Sequence, residues 1–384
     1  MAAPEFDIAL DHNKVQEEVF QLLALLKPDW RKDDVKIKVL EDGHVNVMIA
    51  CYVTKLEESV VVRVFGDMIV FPIHKKPGRE IKTVRVMNEL GLCVPILCTF
   101  NNGYCMEFVH GETIGMGSIH QIGFDVVIRD SLRELARYHS NEHAELAKEM
   151  GLDDTPVIFE NCEFALGLQP DFDDPKIMAS FGDAELPPDM KGELDAIEKK
   201  LLRLLKEADM PVAFCHNDTN PTNVFFDQET KSVTFLDYES CAFNYVAYDI
   251  AYLVLVTMTG ARVDAKKHMP TKEVVVTYLK YYLECRCKQG DMDAVTDEMV
   301  ETWYKHYQLT ALAMNFWLGL VVLLFTKRPS HEVAKDSEKA KMWLMLNDIP
   351  VPETEEEIMK LLSQMIFKMF ANRFLLVKEE LDKI

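Results

Sequence analysis

Cys215-His216-Asn217-Asp218-Thr219-Asn220-Pro221-Thr222-Asn223, followed downstream by Leu236-Asp237-Tyr238-Glu239, has the form His-x-Asp-x-x-x-x-Asn with a second aspartate after it. Transfer of a phosphoryl group to an alcohol needs a carboxylate that orients the hydroxyl and takes its proton. It also needs hard oxygen ligands for a magnesium ion. Asp218 is the candidate base. Asn223 and Asp237, on either side of a predicted hairpin, are the candidate metal ligands. Each alone has a plain explanation: Asp218 as a turn residue, Asp237 as the end of a strand. Their spacing and chain order together carry the reading. His216 is expected to hydrogen-bond within the loop rather than act as a base.

Working towards the N-terminus, the phosphates of ATP need a cation. Arg63, on the Val-rich run Ser59-Val60-Val61-Val62-Arg63-Val64-Phe65, is the candidate. Glu80 on the following helix can hold it as a bidentate pair. Taken alone, Arg63 also reads as an edge residue with its stem laid on the sheet. The chain carries no Gly-x-x-x-x-Gly-Lys-Ser/Thr loop and no Gly-x-Gly-x-x-Gly run. The phosphate-facing turn is therefore expected at Asp42-Gly43-His44-Val45-Asn46.

The surrounding pattern predicts two lobes. Val35–Leu40, Val45–Val53 and Ser59–Phe65 read as strands, Arg79–Leu90 as a helix stopped by Gly91, and Ile96–Phe100 with Tyr104–Val109 as a hairpin. After Gly111 the periodicity turns helical: Asp125–Lys148, Lys191–Ala208, Tyr248 onwards and a last helix over Thr354–Asp382. A strand pair at Asn223–Phe226 and Ser232–Leu236 interrupts them. The Pro- and Asp-rich stretch between Asp153 and Met190 reads as a loop-rich insertion. The expected class is α+β: a β-rich N-lobe over residues 1–110 and a helical C-lobe over 111–384, with a nucleotide cleft between them.

Composition narrows the partners. The formal charge of −21 argues against nucleic acid and against anionic membranes. Nine scattered cysteines read as reduced, mostly buried thiols of a cytoplasmic protein. No basic, apolar leader is visible at Met1–Leu10. Leu309–Phe325 is nearly all apolar but short for a span and broken by Asn315, so a buried helix is expected and no stable membrane insertion. His139 and His143, four apart, read as a solvated helix face rather than a metal site. The oligomeric state stays open, a dimer included.

These residues resemble the choline/ethanolamine kinase family, and within it the ethanolamine kinase branch. The likeness runs from about Lys27 to Lys327. It is carried by Lys27-Pro28-Asp29-Trp30, Val60–Gly66, Cys98-Thr99-Phe100-Asn101-Asn102-Gly103, Glu107-Phe108, Gly111-Glu112, Cys215–Asp218, Asp237-Tyr238-Glu239 and Asn244-Tyr245-Val246-Ala247-Tyr248-Asp249-Ile250. The resemblance implies a protein-kinase-like fold, as in aminoglycoside phosphotransferases, and Mg-ATP as phosphoryl donor. It implies Asp218 as base, Asn223 and Asp237 as metal ligands, and Arg63 with Glu80 at the phosphates. Asn46 would sit over the phosphates, Glu107 to Val109 would form the adenine hinge, and Asp249 would brace the catalytic loop.

The departures fall where the acceptor should bind. The family continues after Asp-Ile with Gly-Asn-His-Phe-x-Glu, and here Val256 occupies the glutamate's place. Ser240 stands for a tyrosine, and Leu318 and Val321 for two tryptophans, with Trp317 beside them. The acceptor pocket is accordingly expected from Glu239, Ser240, Val256, Trp317, Leu318 and Val321. A cationic head group gains from aromatic faces and a counter-charge. Three readings follow: phosphorylation of ethanolamine or a related amino alcohol in phospholipid head-group synthesis, phosphorylation of a less cationic hydroxyl compound, or a nucleotide-binding regulatory relative with weak catalysis.

Overall fold

In a computed structural model the described residues are 3–40, 46–66, 78–109, 112–114, 123–182, 184–227, 230, 232–260, 262–323, 341, 344–345 and 347–384. The expected turn at Asp42–Asn46 lies outside them except for Asn46, and the linker residue Gly111 lies outside them too.

Strands β1 (Glu5–Phe6), β2 (Lys36–Leu40), β3 (Val47–Val53), β4 (Glu58–Val64), β5 (Ile96–Phe100) and β6 (Gly103–Glu107) form one sheet in the order β1-β5-β6-β4-β3-β2. Val60, Val61, Val62 and Val64 of the central strand are buried, as β-branched residues on a covered strand should be. Arg63 lies among them and is 3% exposed. The turn between β5 and β6 is tight because Gly103 has no side chain. A Cβ there would come 2.1 Å from the Arg63 carbonyl oxygen. Helix α1 (Val15–Leu26), which the strand-rich reading of this region missed, covers one face through Val15, Val19, Leu22 and Leu23. On the other side, α2 (Arg79–Glu89) buries Thr83, Val84, Val86 and Met87 and stops before Gly91, whose φ of 65° needs glycine. Glu80 sits in its first turn, where the helix dipole favours a carboxylate.

The rest is helical around a small set of paired strands. Strand β7 (Glu112–Thr113) joins a second sheet. Predicted helix 125–148 is two helices, α3 (Phe124–Tyr138) and α4 (Asn141–Glu149), because the Ser140 hydroxyl caps a new N-terminus by accepting from the His143 amide. The segment read as a loop-rich insertion holds α5 (Ile158–Leu166) and α6 (Pro175–Ser180) ahead of α7 (Met190–Glu207). Strand β8 (Val212–Cys215) leads into the loop that starts at His216. The hairpin of β9 (Val224–Asp227) and β10 (Ser232–Phe235) follows, with β7 added at its edge. Strand β11 (Ala242–Tyr245) then returns antiparallel to β8.

Helix α8 (Val246–Thr259) is buried at every residue except Val256 and Met258. It is the axis of the lobe, packed against α3 and against α10 (Asp297–Val322). Helix α9 (Lys272–Gln289) lies on α3, and α11 (Glu355–Leu381) on α10. The apolar run from Leu309 is the second half of α10 and is mostly buried. No helix of the described residues is long and apolar enough to cross a membrane. All nine cysteines are free thiols, seven of them buried.

Candidate active site

Two backbone pairings build the site. The β8–β11 ladder pairs Cys215 with Ala242, so the loop that starts at His216 runs beside Asp237–Cys241. The β9–β10 hairpin returns the chain so that the Leu236 amide donates to the Asn223 carbonyl at 2.8 Å. Asn223 and Asp237 are thereby set side by side. Asn217 and Asp237 are both non-glycine residues with positive φ, 66° and 64°. Strain of this kind persists only where the surroundings over-determine it.

The over-determination comes from Asp249, in the first turn of α8. Its buried carboxylate accepts the His216 and Asn217 amides at 2.7 Å each and His139 Nε2 at 3.1 Å. Asn217 is fixed further: its Nδ2 donates to the Ser240 and Ala242 carbonyls at 3.0 and 3.1 Å, and its Oδ1 accepts from Asn244 at 2.8 Å. His216 donates Nε2–H to the Leu236 carbonyl at 3.0 Å and accepts the Asp218 amide on Nδ1 at 3.3 Å. It ties the two halves of the site together as a neutral imidazole. His139 is not on a solvated face, as its spacing to His143 suggested. It is fully buried between Asp249 and the Tyr282 hydroxyl, which lies 2.9 Å from Nδ1.

Burial lowers the pKa of both His139 and His216, outweighing the nearby Asp249 charge. The sign follows. An unfolded histidine binds its proton at about pH 6.5 and the folded one only below that, so stability is lost as pH falls below about 6.5. His139→Gln keeps a donor for Asp249 but cannot charge. The wild type is expected to melt higher than this variant at pH 7.5 and to lose that advantage by about pH 5.5. Melting curves across that range check it, and a pH-independent difference contradicts it.

Asp218 follows on the loop. Burial, and then the charge of Asp237, push its carboxyl up to about 7. Asn223 Nδ2 donates to Asp218 Oδ2 at 2.8 Å, and the Tyr252 hydroxyl reaches the same carboxylate. Since Asn223 commits its NH2 to Asp218, its amide oxygen is the end it can offer a cation.

Arg63 gathers the remaining charges. Its Nε lies 3.1 Å from Glu80 Oε1, and its Nη2 lies 2.9 Å from Asp237 Oδ1 and 2.8 Å from Glu239 Oε2. Asn46 donates to Glu239 at 2.9 Å and accepts the Gly66 amide at 3.1 Å. Burial works against the Arg63 charge, but Glu80, Asp237 and Glu239 more than offset it. Burial also pushes Glu80 up to about 7, against the pull of Arg63. Three carboxylates share one guanidinium, with Asp218 close by. Among the described residues this is a surplus of negative charge on hard oxygens, a donor set that fits a divalent cation. Glu107 ends β6, its amide bonded to the Pro95 carbonyl at 3.0 Å, and Phe108 and Val109 follow it beyond the strand.

Chain membership is decided by comparison with known sequences. The model of the choline/ethanolamine kinase family matches residues 37–345. The chain belongs to the choline/ethanolamine kinase family. Relatives in it include ethanolamine kinase 2 of Mus musculus, 28% identical over 84% of this chain and 78% of that protein. Ethanolamine kinase 1 of Mus musculus is 29% identical over 86% and 88%. Among solved structures, a choline kinase of Cryptosporidium parvum superposes with a TM-score of 0.64 over 96% of both chains at 14% identity. An ethanolamine kinase of Plasmodium vivax does so with a TM-score of 0.58 over 80% of this chain and 82% of its own, at 18% identity. The chain thus has the two-lobed kinase-like fold of the choline/ethanolamine kinases, with a β-sheet N-lobe and a helical C-lobe.

Next to Asp218 lies a narrow pocket of about 10 Å³, room for about one water, lined by Asn161, Asn217, Asp218, Ser240, Tyr248, Tyr252 and Trp317. Of the six residues expected to form an acceptor pocket, Ser240 and Trp317 line this one. Glu239 is instead turned to Arg63 and Asn46. Val256, Leu318 and Val321 pack on the main core and are not part of this lining. The helix period explains the shift. Tyr248, Tyr252 and Val256 form one i, i+4 stripe on α8, and the stripe meets Asp218 at Tyr252, one turn before Val256. On α10, Leu318 lies about 100° around the helix from Trp317. Tyr248 and Tyr252 were legible in the sequence as that stripe; Asn161 was not, since its helix read as a loop.

Proposed function

We propose that this chain transfers the γ-phosphoryl group of Mg-ATP to the hydroxyl of ethanolamine or a closely related amino alcohol, in the cytoplasm, for phospholipid head groups. The observation that carries the proposal is the junction of Asp218 with two environments. On one side stand Asn223, Asp237 and the Arg63 cluster; on the other lies the pocket with three aromatic side chains. The family membership and the names of the ethanolamine kinase relatives support the same reading.

In this reading residues 1–110 hold the nucleotide and 111–384 hold the acceptor. Glu107 to Val109 offer backbone groups to adenine. Asn46 and Arg63 face the phosphates, and Glu80 keeps Arg63 in place. Asn223 and Asp237 hold the magnesium ion, which neutralises charge on the phosphate oxygens when bound. Asp218 orients the acceptor hydroxyl and takes its proton as the oxygen attacks the γ-phosphorus; the bridging oxygen leaves with ADP. Asp249 and His216 keep Asp218 at its angle. Tyr248, Tyr252 and Trp317 face the ammonium head, each aromatic contact giving about 0.5–2 kcal/mol.

A specific observation favours a second reading. Among the described residues Asp218 is the sole carboxylate lining the pocket, and Arg373 is buried near Tyr252, bonded to Asn315 Oδ1 at 2.5 Å. A positive charge there favours an acceptor less cationic than choline. ADP release measured with Mg-ATP and a panel of alcohols separates the two. Release with ethanolamine is the expected result, abolished by a chelator. Release only with uncharged alcohols supports the second reading, and nucleotide binding without any transfer contradicts both.

A further inference from the structure

We infer that Asn161 selects the acceptor by its amine: the amide oxygen accepts an N–H from a primary ammonium, which a trimethylated nitrogen cannot donate. This rests on the amino-alcohol reading above and adds to it a residue and a rule of selection.

Asn161 is fixed on α5 by its backbone bond to the Val157 carbonyl at 3.0 Å. It is 8% exposed and lines the same pocket as Asp218, Tyr248, Tyr252 and Trp317. Its Oδ1 is buried with no hydrogen-bond partner. Three of its polar neighbours on the wall are engaged: both ends of Asn217 are bonded, Asp218 Oδ2 accepts from Asn223, and the Tyr252 hydroxyl reaches Asp218. A buried carbonyl oxygen left without a donor is costly, so such an atom in a pocket marks where a ligand donor belongs.

The chemistry of that donor follows from the rest of the wall. Asp218 fixes one end of the ligand by its hydroxyl. The aromatic faces favour a cation at the other end. Asn161 is neutral, so it adds little long-range attraction for a positive charge; what it adds is a directional acceptor. A primary ammonium has three N–H bonds, and one can satisfy Oδ1 while the charge lies against the rings. A quaternary ammonium reaches the rings but leaves Oδ1 unpaired. The pocket is tight, about 10 Å³, so the wall must give to admit a ligand, and each added methyl group asks it to give further.

The test is the N-methyl series: kcat/KM for ethanolamine and its mono-, di- and trimethylated forms, with wild type, Asn161→Leu and Asn161→Asp. Asn161→Leu keeps the volume and removes the acceptor. It is expected to lose about 10- to 100-fold with ethanolamine, mainly through KM. The trimethylated compound, which makes no such bond, should lose less, so the ethanolamine-to-trimethyl ratio falls. Asn161→Asp adds a charge that both compounds feel, and it strengthens the hydrogen bond that only an N–H can donate, so it should raise ethanolamine more than the trimethylated compound. If Asn161→Leu does not fold, as judged by its melting curve, Asn161→Asp decides alone. An unchanged ethanolamine-to-trimethyl ratio in the folded variants overturns the inference while the amino-alcohol reading stands. A wild type that phosphorylates no member of the series overturns both.

Discussion

Asp218→Asn is expected to lose about 10²- to 10⁴-fold in kcat while remaining folded and binding ATP with unchanged affinity. The amide keeps the shape and can still meet the Asn223 and Tyr252 side chains, but it cannot take a proton. The same change removes a negative charge that is buried and close to Asp237. In a chelator and without nucleotide, the variant should therefore melt at a higher temperature than the wild type. Loss of activity together with gained stability distinguishes a strained functional carboxylate from a structural one. Turnover and melting temperature on the same preparation check both halves. A variant that is less stable and fully active would remove Asp218 from the site.

Arg63→Met has the largest expected effect on the fold. It leaves Glu80, Asp237 and Glu239 without the guanidinium they share. Breaking a buried ion cluster by removing one side costs about 3–5 kcal/mol. The deficit should depend on pH in a fixed direction. Burial already raises the pKa values of Glu80 and Glu239, and without Arg63 these two rise further above their unfolded values. Such groups bind more protons in the folded state, so stability falls as pH rises through the interval between the two values. Urea unfolding at pH 5.5 and pH 8 should show a larger deficit at pH 8. Equal deficits would mean that the three carboxylates do not depend on Arg63 for their charge.

The groups proposed for catalysis were legible in the sequence because they are local to one supersecondary unit. Asp218, Asn223 and Asp237 lie on a loop and a hairpin whose register alone sets them together. Arg63 and Glu80 come from a strand and the next helix, and the Val-rich run announces the strand. The pocket was harder to read. Its wall comes from three helices distant in sequence, and no periodicity states how one helix sits over another. Matching the family's register pointed to Val256, Leu318 and Val321. Packing brought Tyr248 and Tyr252 to the wall beside the expected Ser240 and Trp317, along with Asn161 from a stretch whose prolines and aspartates suggested a loop. His139 misled for a similar reason: its spacing to His143 suggested an exposed face, but Ser140 ends one helix and starts another, which buries His139 against Asp249.

The central claim is that Asp218 directs a phosphoryl group onto an amino alcohol. Phosphorus NMR of the wild-type protein with Mg-ATP and ethanolamine tests it most directly. The account predicts a phosphomonoester of ethanolamine appearing in step with ADP, and no such resonance with Asp218→Asn. ADP accompanied by inorganic phosphate alone, or the same ester formed equally by Asp218→Asn, would contradict it.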